Sequence, residues 1–86
     1  MTRIDKIIQR METRPQSVRF DEAVQVCRAF FGTPRQASGS HVIFKTPWPG
    51  DPRINLQNKD GKAKVHQIRQ ILMAIERLKA HQEQPT

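Results

Sequence analysis

Ser38-Gly39-Ser40-His41-Val42-Ile43-Phe44-Lys45 reads as a turn followed by a strand with one buried face. Side chains in a strand switch faces with period two, so Val42 and Phe44 point one way while His41, Ile43 and Lys45 point the other. Residues 53–57 repeat the pattern: Ile54 and Leu56 share one face, and Arg53, Asn55 and Gln57 the opposite one. Between the two runs, residues 46–52 carry three prolines and a glycine, a composition that suits only a connection between strands. A short first run, separated from the second at Ser38-Gly39-Ser40, completes an expected three-stranded antiparallel sheet. Its apolar face lies under helices and its polar, basic face points outward.

The flanking segments have helical periodicity. Ile4, Ile7, Ile8 and Met11 recur at i, i+3, i+4 and i+7, which predicts a short amphipathic helix to about Thr13, stopped by Pro15. A second helix begins near Phe20 and Asp21, presents Ala23, Val24, Cys27 and Phe30 on one face, and ends at Gly32 and Pro34. Asp21 and Glu22 suit the positive end of its dipole. After a polar turn at Asn58, Lys59, Asp60, Gly61 and Lys62, the longest stripe follows: Val65, Ile68, Ile71, Leu72, Ile75 and Leu78. Residues 79–86 read as a polar, frayed tail. The expected class is α+β in the order α-α-β-β-β-α, a single domain over 1–86 with an N-terminal helical extension over 1–16.

Eighty-six residues hold one small domain, so any activity rests on a few side chains of a single scaffold. Lys and Arg number 15 against 8 Asp and Glu, a formal charge of +7, which favours a polyanionic partner such as nucleic acid. The single cysteine cannot form an internal disulfide. Together with the lack of a charged-then-apolar leader, it sets the expectation of a cytoplasmic protein. No apolar run approaches membrane-spanning length.

Few residues are placed for chemistry. His41, His66 and His81 lie far apart and the chain has a single cysteine, Cys27, so neither a metal nor another cofactor is expected. Ser40 and His41 are strand neighbours that project to opposite faces and make a poor dyad. Cys27 lies on an apolar stripe and reads as a small buried hydrophobe. His41 differs, because the alternation that buries Val42 and Phe44 sends it outward. An imidazole there can act as general base on a ribose 2′-hydroxyl or as general acid on a leaving oxygen. The plainer alternative is a surface histidine that only hydrogen-bonds. Lys59, Lys62 and Lys64 precede the last helix, where backbone N–H groups attract phosphate; an ordinary charged turn fits them equally well. His66 reads as a solvated helix residue. Trp48, between Pro47 and Pro49, caps the strand connection, meets a protein partner or stacks on an unpaired base.

The run Gly39-Ser40-His41-Val42-Ile43-Phe44, the Pro-containing turn, the next strand and the Lys-rich approach to the last helix resemble the HicA toxin family. The long N-terminal form is the nearer match, through Ile4 to Met11, the Pro15 break and Phe20-Asp21-Glu22. The resemblance spans nearly the whole chain. It implies a fold similar to the double-stranded RNA-binding domain and a metal-independent endoribonuclease that cuts messenger RNA, with His41 as the catalytic histidine. It also implies a HicB-like antitoxin partner, with operator DNA reached only through that partner. Two positions depart from the family pattern: Gln57 and Asn58 stand where many short-form members carry a second histidine, and Arg19 stands where a helix-capping Thr is common.

The combined expectation is a type II toxin in which Ser40, Lys45, Lys62 and Lys64, with Arg53 or Arg35, hold the RNA backbone while His41 transfers the proton. A non-catalytic RNA-binding module of the same fold is the alternative, and a basic adaptor for an acidic protein is a further one.

Overall fold

In a computed structural model of the chain, residues 2–48 and 53–83 are described. Helix α1 (Arg3–Thr13) starts on a reciprocal cap: the Asp5 N–H donates to Thr2 Oγ1 at 3.1 Å, and the Thr2 N–H donates to Asp5 Oδ2 at 3.2 Å. A 3₁₀ turn (Pro15–Ser17) then redirects the chain into α2 (Phe20–Phe31). Arg19 supplies no side-chain acceptor, and Glu22 takes over the start of α2 by accepting the Arg19 N–H at 3.0 Å. The Glu22 carboxylate also pairs with Arg10, which ties α1 to the first turn of α2.

Strands β1 (Gln36–Ser38), β2 (His41–Lys45), β3 (Arg53–Lys59) and β4 (Lys62–Ala63) form one antiparallel sheet in sequence order. The expected sheet had three strands; this one has four. The difference lies at Asp60-Gly61, where positive φ values of 54° and 86° give the two-residue turn that matches the twist of a hairpin. The chain therefore folds back, with Lys59 opposite Lys62 and Asn58 opposite Ala63, where a plain polar turn was expected. The edge of β4 is not left open, since the Ala63 N–H donates to the Val18 carbonyl and the Phe20 N–H to that of Gly61.

Burial follows the alternation. Val42, Phe44, Ile54 and Leu56 are sealed under the helices, whereas His41, Lys45, Arg53 and Asn55 are exposed on the opposite face. On α2 the buried residues are Ala23, Val26 and Cys27, while Val24 and Phe30 are half-buried. The stripe is thus rotated slightly from the expected one. Helix α3 (Val65–Glu83) buries Ile68, Ile71, Ile75 and Leu78 and continues in helical form into the segment expected to fray. Residues 49–52 of the strand connection and 84–86 of the tail lie outside the described residues. Trp48, at the near end of that connection, packs edge-on against Phe31 with centroids 6.4 Å apart and carries the Arg77 guanidinium 4.5 Å over its ring. It serves as a cap between the strand connection and two helices.

The N-terminal extension is part of the core. Ile7 and Met11 are 3% and 1% exposed, packed in the same cluster as Phe44, Leu56 and Ile71. Met11→Ala is expected to cost about 2–5 kcal/mol in denaturant unfolding, a large share of the margin of a small domain. Glu22 adds a pH dependence. Burial pushes its carboxyl up, but the Arg19 N–H and the Arg10 guanidinium outweigh that and hold it below its ordinary value of 4.5. A depressed folded pKa stabilises the fold above the ordinary value, and this stabilisation is lost as pH falls through the folded pKa. Unfolding midpoints measured across that range should therefore fall more steeply in the wild type than in Glu22→Gln.

Candidate nucleic-acid interface

The alternation of β2 and β3 places three cross-strand pairs on the uncovered face: His41 with Gln57, Ile43 with Asn55, and Lys45 with Arg53. The Asn58 N–H donates to the Ser40 carbonyl at 2.8 Å, so His41 and Gln57 form a non-hydrogen-bonded pair, the kind whose side chains lie closest together. The Gln57 N–H then points away from β2, toward the side where β4 has already ended. Gln67, 5% exposed on α3, meets it: its Oε1 accepts that N–H at 3.0 Å. The side chain of one helix residue replaces the missing strand carbonyl and fixes the start of α3 against His41's partner.

This junction forms a shallow cleft of about 340 Å³ lined by Ser40, His41, Gln57, Asn58, Lys59 and Lys64. A second cleft, of about 720 Å³, continues from it past Lys59 and Lys64 to Lys62, His66 and Gln16, with Asp60 as the one carboxylate in its lining. Lys64 directly precedes α3, its carbonyl accepting the Gln67 and Ile68 N–H groups, and the first turn of that helix holds no acidic residue. The positive end of the α3 dipole and three lysines therefore face the same space. Among the described residues, no carboxylate lies within ion-pair distance of Lys45, Lys59, Lys62 or Lys64.

Six of the seven expected site residues fall into two groups. Ser40, His41 and Lys64 share one cleft and Lys62 lines its continuation, whereas Lys45 and Arg53 face each other at the far end of the same strands. The cations that share the His41 cleft are accordingly Lys59 and Lys64 rather than Lys45 and Arg53. Arg35 is exposed just before β1, with its N–H donating to the Ile43 carbonyl at 2.8 Å. From the sequence, Lys59 is expected either to attract phosphate together with Lys62 and Lys64 or to belong to an ordinary charged turn, and Gln57 to lie on the outward face of its strand; neither is among the expected site residues. Gln57 stands beside His41 through the β2–β3 register, and Lys59 joins them two residues further along β3, just before the Asp60-Gly61 turn.

Cys27 has no part in this surface. It is fully buried, and burial pushes its thiol up to about 12, which leaves it protonated and inert at neutral pH. Among the described residues no group of three His, Cys, Asp or Glu side chains is placed to hold a metal ion, and no helix is long and apolar enough to cross a membrane. No family model, curated protein or solved structure matches the chain.

What the arrangement can do is bind an anionic chain along a row of ammonium groups with an imidazole at its edge. Lys59→Ala, Lys62→Ala and Lys64→Ala should each weaken binding of a single-stranded nucleic acid. Each should also flatten the slope of log K against log salt by about 0.7, the increment for one phosphate contact on a single strand. Titrations at several salt concentrations read both effects.

Proposed function

We propose that this chain is a HicA-like toxin, an endoribonuclease that cuts messenger RNA with His41 as its acid–base group. The observation that carries this reading is the exposed His41 side chain in a cleft with Lys59 and Lys64. An imidazole can accept a proton at one ring nitrogen and give it back, and the two ammonium groups share the cleft in which the phosphate would lie. The run α2-β1-β2-β3-α3 supports a fold of the double-stranded RNA-binding-domain type, to which α1 and the β4 hairpin are additions.

In this mechanism the neutral His41 imidazole removes the proton of a ribose 2′-hydroxyl. The 2′-oxygen attacks the adjacent phosphorus while the bond to the leaving 5′-oxygen breaks. The products are a 2′,3′-cyclic phosphate and a free 5′-hydroxyl, whose proton is returned by the imidazolium. Lys59 and Lys64 offset the negative charge that builds on the phosphoryl oxygens. Gln57 stands where a second histidine would supply a separate acid, so one imidazole both takes and gives the proton. The cytoplasm is the compartment in which this substrate is met, and a HicB-like antitoxin is the partner proposed to cover the basic face. The non-catalytic RNA-binding module remains the competing reading, favoured by the same lysines without need of the imidazole.

Incubation of the purified chain with a messenger RNA separates the two. Wild type should cut and leave cyclic phosphate ends, and a 2′-deoxy substitution at the cut site should abolish cleavage there. His41→Ala should lose on the order of 10²–10⁴ in rate while binding RNA with nearly unchanged affinity. Equal cleavage by His41→Ala would show that the imidazole is not the reacting group.

A further inference from the structure

The uncovered face of the sheet has a layout that the acid–base cleft alone does not use. Lys45 faces Arg53 at one end of the β2–β3 pair, and Lys59 faces Lys62 across the β3–β4 hairpin at the other. Like charges directly opposite one another cost stability, and among the described residues neither Lys59 nor Lys62 has a carboxylate within ion-pair distance, Asp60 in the turn between them lining the same cleft without pairing. From Arg53 to Lys59 is six strand steps, roughly 20 Å. Between these cationic ends the same face of β3 presents two amides, Asn55 and Gln57, with Ile43 and His41 opposite them.

Neither amide side chain hydrogen-bonds to another described residue. Asn58 differs, since its Oδ1 is already occupied by the Gly61 N–H at 2.6 Å. Gln57 is held in place through its backbone by buried Gln67. Each free amide offers two donors and an acceptor, the set that recognises base edges.

We propose that this face is a platform for single-stranded RNA on which Asn55 and Gln57 read the bases beside the phosphate at His41. The inference rests on the RNA-binding part of the functional reading and does not require that the chain cut its ligand. A flat sheet with short amides cannot reach into the deep, narrow major groove of an A-form duplex. Unstacked bases of a single strand can lie on the sheet and expose their edges to it. The cations at both ends then hold the backbone while the amides and Ile43 contact the bases. An acidic protein segment would satisfy the lysines but would leave the two central amides without a matching pattern of donors and acceptors.

The test uses the full-length His41→Ala chain, so that nothing is cleaved, and measures its equilibrium binding to short adenine, cytosine and uracil oligoribonucleotides. The same oligomers are then measured annealed to their complements. Single strands should bind at least about tenfold more tightly than duplexes, with a spread of about tenfold among the bases. Adding Asn55→Ala and Gln57→Ala should collapse that spread, and circular dichroism should show the fold retained, since Asn55 is exposed and Gln57 keeps its backbone bond. Equal affinity for duplex and single strand overturns the proposal, as does a base preference unchanged by the two amide substitutions. Binding of polyglutamate with no measurable binding of RNA assigns the face to an acidic protein and overturns it as well. Base-selective single-strand binding by a wild-type chain that fails to cut would remove the nuclease reading and leave the platform standing.

Discussion

Only one face of the β2–β3 pair can be buried, and nearly everything else in the molecule depends on which one it is. Val42, Phe44, Ile54 and Leu56 occupy the face under the helices, and period two sends His41, Lys45, Arg53, Asn55 and Gln57 to the other. A slip of one residue in either strand would bury an imidazole or an ammonium group without a partner and expose a Phe or Leu. The cost of that exchange is what makes the register firm. The outward array of polar groups is therefore a consequence of the core, not a separate feature added to it.

The helices supply the other half of that constraint. With so few residues, α2 and α3 alone offer little apolar area, and α1 completes the layer through Ile7 and Met11. Glu22 links the two N-terminal helices by accepting from the backbone at the start of α2 while pairing with Arg10. One carboxylate thus compensates for the absence of a capping side chain at Arg19. On the sheet side, the Val18–Phe20 segment that follows the extension bonds to the outer edge of β4, so the link into α2 closes that edge while the extension fills the core.

The charge distribution has a different origin. Stability gives no reason to set Lys59 opposite Lys62, or to place Lys64 at the positive end of α3, since both arrangements are electrostatically unfavourable in the free chain. An anionic ligand removes both penalties at once. The same ligand would meet His41 and Gln57, whose separation is set by the non-hydrogen-bonded register and by the Gln67 contact behind it. The functional reading therefore rests on local physics that runs against stability at one end of the sheet, the end that also carries the imidazole.

The sequence by itself determined the helical stripes, the in-and-out alternation of residues 41–45 and 53–57, the burial of Cys27 and the outward direction of His41. These follow from periodicity, which needs only neighbours along the chain. It left the fourth strand unread because Asn58 and Lys59 are both polar and the alternation fades there, although Asp60-Gly61 carried the hairpin signal. Only the tertiary structure decided that Lys59 and Lys64, rather than Lys45 and Arg53, share the cleft of His41. Only there does Gln67 emerge as the group that locks Gln57. Both depend on where the start of α3 meets the end of β3, and that meeting is fixed by packing between residues far apart in the chain, which no local pattern encodes.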